Sequence, residues 1–129
     1  MMRRRKLGRS GATTAEFAFT IPVVLTAIFA MTQLGILFFA NAGLQNAVGE
    51  TARLATLWPR RSETQLRAKL TATRFGINPA YLSTPQFTYG TANGSSYVEI
   101  RVSYRSQLNF IFFEYPLITL TQSRRAYLP

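Results

Sequence analysis

The chain has 129 residues, with 15 lysines and arginines against five acidic residues, and a formal net charge of +10. It contains no cysteine, histidine or aspartate, which excludes disulfides, thiol nucleophiles, imidazole bases and the usual zinc sites. The five scattered glutamates give little basis for an acid–base pair or a calcium cage, and no glycine-rich phosphate loop is present. We therefore expect neither an enzyme nor a protein that binds a metal, a cofactor or a small-molecule substrate.

The positive charge is concentrated at the N-terminus. Five of the fifteen cations lie in the first nine residues, so that the rest of the chain carries a net charge of only +5. Because a long uncharged stretch follows, these cations are typical of a membrane-topology signal and not of a nucleic-acid-binding surface. We expect residues 1–11 to be a cytoplasmic leader, and we expect no nucleic-acid partner.

Residues 17–40 form an uncharged segment of 24 residues rich in large apolar side chains. At about 1.5 Å per residue, a helix of this length exceeds a hydrocarbon core of roughly 30 Å. The segment therefore predicts a single membrane span, and the positive-inside rule places the residues beyond it outside the inner membrane. An alternative is a secreted protein, because Ala40-Asn41-Ala42 resembles a signal-peptidase site, although the apolar stretch is long for a signal peptide.

Small and apolar residues continue with helical spacing beyond this segment. They are Leu44, Ala47, Val48, Thr51, Ala52 and Ala55. The spacing predicts one helix from about Thr14 to Leu57, within a region spanning residues 12–58, and Trp58-Pro59 should end it. Pro22 should bend this helix or leave a backbone carbonyl without its hydrogen bond.

Residues 59–129 are expected to form an α+β domain outside the membrane. Ser62 and Gln65 have the spacing of a capping box, which predicts a short helix from about Glu63 to Phe75. Gly76 and Pro79 should terminate that helix.

The last third of the chain has the two-residue period of β-strands. Asn93-Gly94 lies between residues 86–89 and 97–104, which predicts a hairpin with this pair in its turn. One face of the second strand is apolar, with Val98, Ile100, Val102 and Tyr104. A third strand is expected at about residues 117–127. The aromatic run before it, at residues 110–115, should fill the core; the alternative is an exposed loop that contacts a partner or the membrane. The predicted fold is thus a long helix, a short helix and a three-stranded antiparallel sheet.

The junction between the leader and the span provides the candidate site. Glu16 precedes Phe17 at the mouth of the apolar segment, where a carboxylate is unfavourable unless something compensates it. Cleavage between Gly11 and Ala12 would create an ammonium group one helical turn before Glu16. In a bundle of such helices, Glu16 of one subunit could neutralise the ammonium of its neighbour. The alternative is that Glu16 complements the helix dipole, which requires no cleavage.

Three small residues are candidates for helix packing between subunits, namely Gly35, Gly43 and Ala47. The alternative is that they reflect the general abundance of small residues in membrane helices.

The Gly11 junction with Glu16-Phe17, the apolar span and the run from Leu44 to Arg53 resemble the TadE-like proteins, minor pseudopilins of tight-adherence (Flp, type IVb) pili. The resemblance covers about residues 8–57. It implies a pilin-like fold, cleavage after Gly11 by a prepilin peptidase, and a single-pass inner-membrane protein with its C-terminal domain in the periplasm.

The expected partners that follow from this resemblance are other pilin and pseudopilin subunits and the inner-membrane pilus assembly platform. A position in the pilus itself is left open. A second hypothesis is an uncleaved, single-span scaffold protein of the same secretion apparatus.

Overall fold

A computed structural model describes residues 10–110 and 116–129 of the chain. It contains helix α1 (Ser10–Ala55), helix α2 (Glu63–Thr73), a 3-10 turn (Pro79–Tyr81) and strands β1 (Gln86–Ala92), β2 (Ser95–Ser106) and β3 (Ile118–Tyr127). The three strands form one antiparallel sheet in the order β1-β2-β3. The predicted α+β arrangement is therefore confirmed.

Helix α1 has 46 residues and is continuous through Pro22. It ends at Ala55, two residues before the predicted end, and the amides of Thr56 and Leu57 bond to carbonyls three residues earlier. This tighter final turn satisfies carbonyls that a helix end would otherwise leave free. Trp58-Pro59 follows this turn, as the sequence predicted.

The core lies between the C-terminal part of α1, helix α2 and one face of the sheet. From α1 it includes Ala40, Leu44, Ala47, Val48, Thr51, Ala52 and Ala55. From the other elements it includes Leu66, Leu70, Val98, Ile100, Val102, Tyr104 and Ala126. The alternation predicted for β2 is thus confirmed. Because the residues of α1 at this contact are mostly small, the helix backbone lies close to the domain.

The N-terminus of α2 has the predicted capping box. The Ser62 hydroxyl accepts a hydrogen bond from the Gln65 amide, and the Gln65 side chain accepts one from the Ser62 amide at 3.1 Å. The helix ends at Thr73, two residues earlier than predicted, where the Asn46 side-chain amide donates to the Thr73 carbonyl at 3.0 Å. A contact with α1 therefore ends α2 before Phe75, and Gly76 follows with a positive φ of 66°.

The hairpin between β1 and β2 has the predicted turn. Asn93 and Gly94 both have positive φ angles, 51° and 78°, as a two-residue type I′ turn requires. In the aromatic run at residues 110–115, Phe110 is half-buried, and residues 111–115 lie outside the described residues. The prediction that the aromatic run fills the core therefore lies largely outside the described residues.

Candidate functional site

The N-terminal part of α1 does not pack against the domain. In its most apolar window of 18 residues, only 6% of the residues are buried. Large apolar side chains extend from all sides of this part of the helix, and Phe19 and Met31 are 80% and 73% exposed. A helix that is apolar all round belongs in a hydrophobic environment. By length and composition, α1 can cross a membrane.

Three threonine hydroxyls in the apolar part of this helix form hydrogen bonds within it. The hydroxyls of Thr20, Thr26 and Thr32 donate to carbonyls four residues earlier, at 2.8, 2.7 and 2.9 Å. Pro22, whose carbonyl accepts the bond from Thr26, lies within an unbroken helix. Since lipid offers no hydrogen-bond partners, this internal pairing suits a membrane span.

The predicted processing site lies in the first turn of α1. Gly11 and Ala12 are both exposed and directly follow Ser10, the first residue of α1 that the structure describes. Both residues of the predicted scissile bond are thus accessible at the surface of the described chain.

Glu16 is exposed and lies four residues after Ala12, on the same side of the helix. Within residues 10–110 and 116–129, no salt bridge joins this carboxylate to a cation. Glu50, the other acidic residue of α1, does have such a partner, Lys69, at 3.8 Å. In the described structure, Glu16 thus has no countercharge from its own chain.

The three small residues proposed for helix packing lie in different environments. Gly35 is exposed, and a β-carbon there would meet no other atom within 4 Å. Gly43 packs against the backbone of Phe75, and Ala47 is completely buried in the core. Packing within the chain therefore accounts for Gly43 and Ala47, and Gly35 remains open to a neighbouring helix.

The Ala40-Asn41-Ala42 sequence lies in the middle of α1. Ala40 is buried in the core, and the Asn41 side-chain oxygen accepts a hydrogen bond from Gln122 at 2.9 Å. Cleavage here would divide a helix that is packed against the domain, so the fold disfavours the signal-peptidase alternative.

Sequence reasoning missed one surface, where the domain meets the apolar part of α1. Tyr81, Gln107 and Asn109 lie beside Gln33 and Ile36 around a shallow groove of about 200 Å³. These residues are far apart in the sequence, and no local motif connects them, so only the tertiary structure brings them together.

The sequence model of one protein family, described as TadE-like protein, matches residues 11–53. This segment, about a third of the chain, is similar to the TadE-like family. The TadE-like segment begins at the predicted processing site, contains Glu16 and ends three residues before Thr56, so it comprises nearly all of α1. No curated protein and no solved structure matches the chain.

Proposed function

We propose that the protein is a minor pseudopilin that takes part in the assembly or initiation of a tight-adherence pilus. The TadE-like segment indicates a protein associated with such a pilus system. The observation that carries the proposal is that this segment contains the whole exposed apolar part of α1, together with the part that packs in the core. The family match therefore includes the part of the chain that needs lipid or other helices to cover it.

The proposed role of α1 has two stages. In the inner membrane, lipid covers its apolar side chains; in a filament, the helices of other pilin and pseudopilin subunits do so. Full burial of a large apolar side chain stabilises by about 1.5–3 kcal/mol relative to water. Because both environments keep these side chains away from water, the helix can move from one to the other at little hydrophobic cost, through the assembly platform.

The proposed processing step explains the position of Glu16. A prepilin peptidase would remove residues 1–11 and leave an ammonium group on Ala12. A carboxylate and an ammonium are each unfavourable at the rim of a bilayer, and pairing between neighbouring subunits compensates both. The open surface at Gly35 would permit close approach of the helices in such a bundle.

Intact mass spectrometry of the membrane-extracted protein tests the processing step. The full chain is expressed with a prepilin peptidase of the tight-adherence system or with its catalytically inactive variant. We expect a chain that starts at Ala12 only with the active enzyme. Gly11→Val should prevent cleavage because its branched side chain hinders the extended backbone, whereas Gly8→Ala, a matched change in the leader, should leave cleavage intact.

Two results would contradict this proposal. A chain that retains its leader beside the active peptidase would support the uncleaved scaffold protein instead. A soluble chain that starts at Gly43 would support secretion by signal peptidase.

The proposed orientation can be tested with single cysteines, because the natural chain contains none. Ser95 lies exposed at the start of β2, next to the hairpin turn, and Ser10 is the first described residue of α1. In cells with the inactive peptidase, where residues 1–11 are retained, a membrane-impermeant maleimide should label Ser95→Cys in intact spheroplasts and Ser10→Cys only after lysis. The reverse pattern would contradict a periplasmic C-terminal domain.

A further inference from the structure

Strand β3 runs alongside α1 in the same direction. Asn41 bonds to Gln122, and Gly49, two turns further along α1, lies beside the Arg124 guanidinium. The start of β3 is therefore the end of the strand nearer to the apolar part of α1. The end of β2, which pairs with the start of β3, lies at the same level.

Helix α2 runs in the opposite direction, toward the apolar part of α1. Lys69 pairs with Glu50, and the next contact joins Thr73 to Asn46. The Phe75 ring then lies 5.2 Å from the ring of Phe39. The chain continues from there to the 3-10 turn at Pro79–Tyr81.

These directions bring one surface of the domain to the level of Gln33 and Ile36. It is formed by Asn78, Tyr81, Arg105, Gln107 and Leu117, which line two adjoining grooves. We call it the basal surface. Gln33 and Ile36 line one of these grooves, although both belong to the uncharged stretch predicted to cross the membrane. The domain thus extends beside the last part of that stretch.

The distance between Glu16 and the basal surface matches the thickness of a bilayer. Twenty residues separate Glu16 from Ile36, which corresponds to about 30 Å along a helix, the thickness of a hydrocarbon core. With Glu16 at one rim, Ile36 and the basal surface beside it reach the other rim.

The basal surface has the chemistry of a membrane interface. Tyr81 and Leu117 are 50% and 53% exposed, and Tyr81 combines an apolar ring with a polar hydroxyl. Arg105 lines the same groove, and it forms no salt bridge within the part of the chain that the structure describes. None of the described residues that line the two grooves is acidic. A cation among polar and apolar groups suits anionic phospholipid headgroups.

We propose that the basal surface lies on the headgroups of the bilayer that α1 crosses, so that the hydrocarbon-facing span is residues 17–36. This inference rests on the proposed membrane residence of α1, and it adds a second lipid contact, made by the C-terminal domain. Residues 37–40 then lie at the headgroup level, where Phe38 and Phe39 supply interfacial aromatic side chains. Extraction of the subunit into a filament has to release this contact as well as the span.

Depth-dependent fluorescence quenching tests the proposal. Single-cysteine variants of the full chain carry a bimane label in vesicles of phosphatidylethanolamine and phosphatidylglycerol. The labelled positions are Phe29→Cys in the span, Tyr81→Cys and Leu117→Cys on the basal surface, and Ser95→Cys in the distant hairpin. Lipids with a nitroxide on the headgroup should quench positions 81 and 117 and leave position 95 bright. Lipids brominated deep in the acyl chain should quench position 29.

The outcomes separate this proposal from the membrane residence on which it rests. Loss of fluorescence at position 29 without loss at 81 and 117 would overturn the basal contact alone. No loss at position 29 would overturn the membrane span itself. In a further outcome, the quenching lipids do not affect the fluorescence at position 81, but the fluorescence changes with the protein-to-lipid ratio. This result would show that a second copy of the chain covers the basal surface, which also overturns the proposal.

A matched pair of arginines tests the role of charge. Arg101 and Arg105 lie on the same face of β2, four residues apart, so Arg101 lies about 13 Å further along the strand from its basal end. With the label at Leu117, Arg105→Gln should reduce the quenching in vesicles that contain phosphatidylglycerol, and Arg101→Gln should not. Equal quenching in both variants would contradict a headgroup contact by Arg105.

Discussion

Gly43 of α1 lies directly against the backbone carbonyl of Phe75, so that a β-carbon at position 43 would overlap with the carbonyl oxygen. We predict that Gly43→Ala destabilises the fold by about 1–3 kcal/mol, because backbone rather than a flexible side chain has to move. Chemical denaturation in detergent, followed by circular dichroism, measures the change. Gly35→Ala is the control and should leave stability unchanged or slightly raised, since position 35 has open space. Equal stability of the two variants would show that α1 at Gly43 does not contact the segment after α2 at Phe75.

Thr51 is a polar residue that is completely buried in the core. Its hydroxyl donates to the Ala47 carbonyl at 2.7 Å, within the same helix. We predict that Thr51→Val changes the free energy of unfolding by less than about 1 kcal/mol, because the shape is kept and no donor remains unpaired. Thr51→Ser keeps the hydroxyl but removes a methyl group, and should cost about 1 kcal/mol.

The relative stability of the two Thr51 variants shows whether the hydroxyl or the methyl group stabilises the packing of α1 in the core. A valine variant much less stable than the serine variant would mean that the hydroxyl, rather than the methyl group, holds α1 in the core. The same two substitutions at Thr71, an exposed position of α2, provide the control and should have little effect.

The capping box of α2 gives a third prediction. Ser62→Ala removes the acceptor for the Gln65 amide, and we expect a loss of about 1 kcal/mol in the free energy of unfolding. Ser62→Asp keeps an acceptor and should retain most of the stability. Thr64→Ala, an exposed change between the two box residues, is the control. A Ser62→Ala variant as stable as Thr64→Ala in the same denaturation assay would show that tertiary contacts alone hold the start of α2.

Local signals were enough to predict most of the fold. The Ser62 cap, the Asn93-Gly94 turn and the alternation along β2 each depend on neighbouring residues, and the structure contains all three. The early end of α2 could not be predicted, because it depends on contacts with α1 at Asn46 and Gly43. These contacts join residues far apart in the sequence, and a one-dimensional pattern carries no information about them.

The same distinction applies to the candidate site. Glu16 and the Gly11–Ala12 bond could be proposed from the sequence because they lie within two turns of one helix, and their role stays a prediction. The role of Gly43 could not be predicted, because a small residue suits contact with another subunit as well as the observed contact with Phe75. The basal surface was missed for a similar reason, because Tyr81 and Leu117 converge only through the opposite directions of α2 and β3.

Glu16 gives the prediction that bears most directly on assembly. Glu16→Leu removes an unfavourable carboxylate from the membrane rim, so the protein should still insert and should still be cleaved after Gly11. Incorporation into pili should fail, because the ammonium on Ala12 of a neighbouring subunit would lose its partner. Loss of one member of a buried ion pair costs about 3–5 kcal/mol. With a factor of ten for each 1.4 kcal/mol, incorporation should fall by more than about a hundredfold.

The measurements for Glu16 are intact mass, for cleavage, and the amount of cross-linked mature protein that co-purifies with sheared pili. Glu16→Gln keeps the shape of the side chain without its charge, and it should also fail if charge is the cause. Glu50→Gln is the matched control in the same helix, because Glu50 already pairs with Lys69 in its own domain and is not needed by a neighbour. Normal incorporation of Glu16→Leu would exclude pairing with the new N-terminus. Normal incorporation of Glu16→Gln alone would assign the role to hydrogen bonding, because the amide keeps an acceptor oxygen for the ammonium but carries no charge.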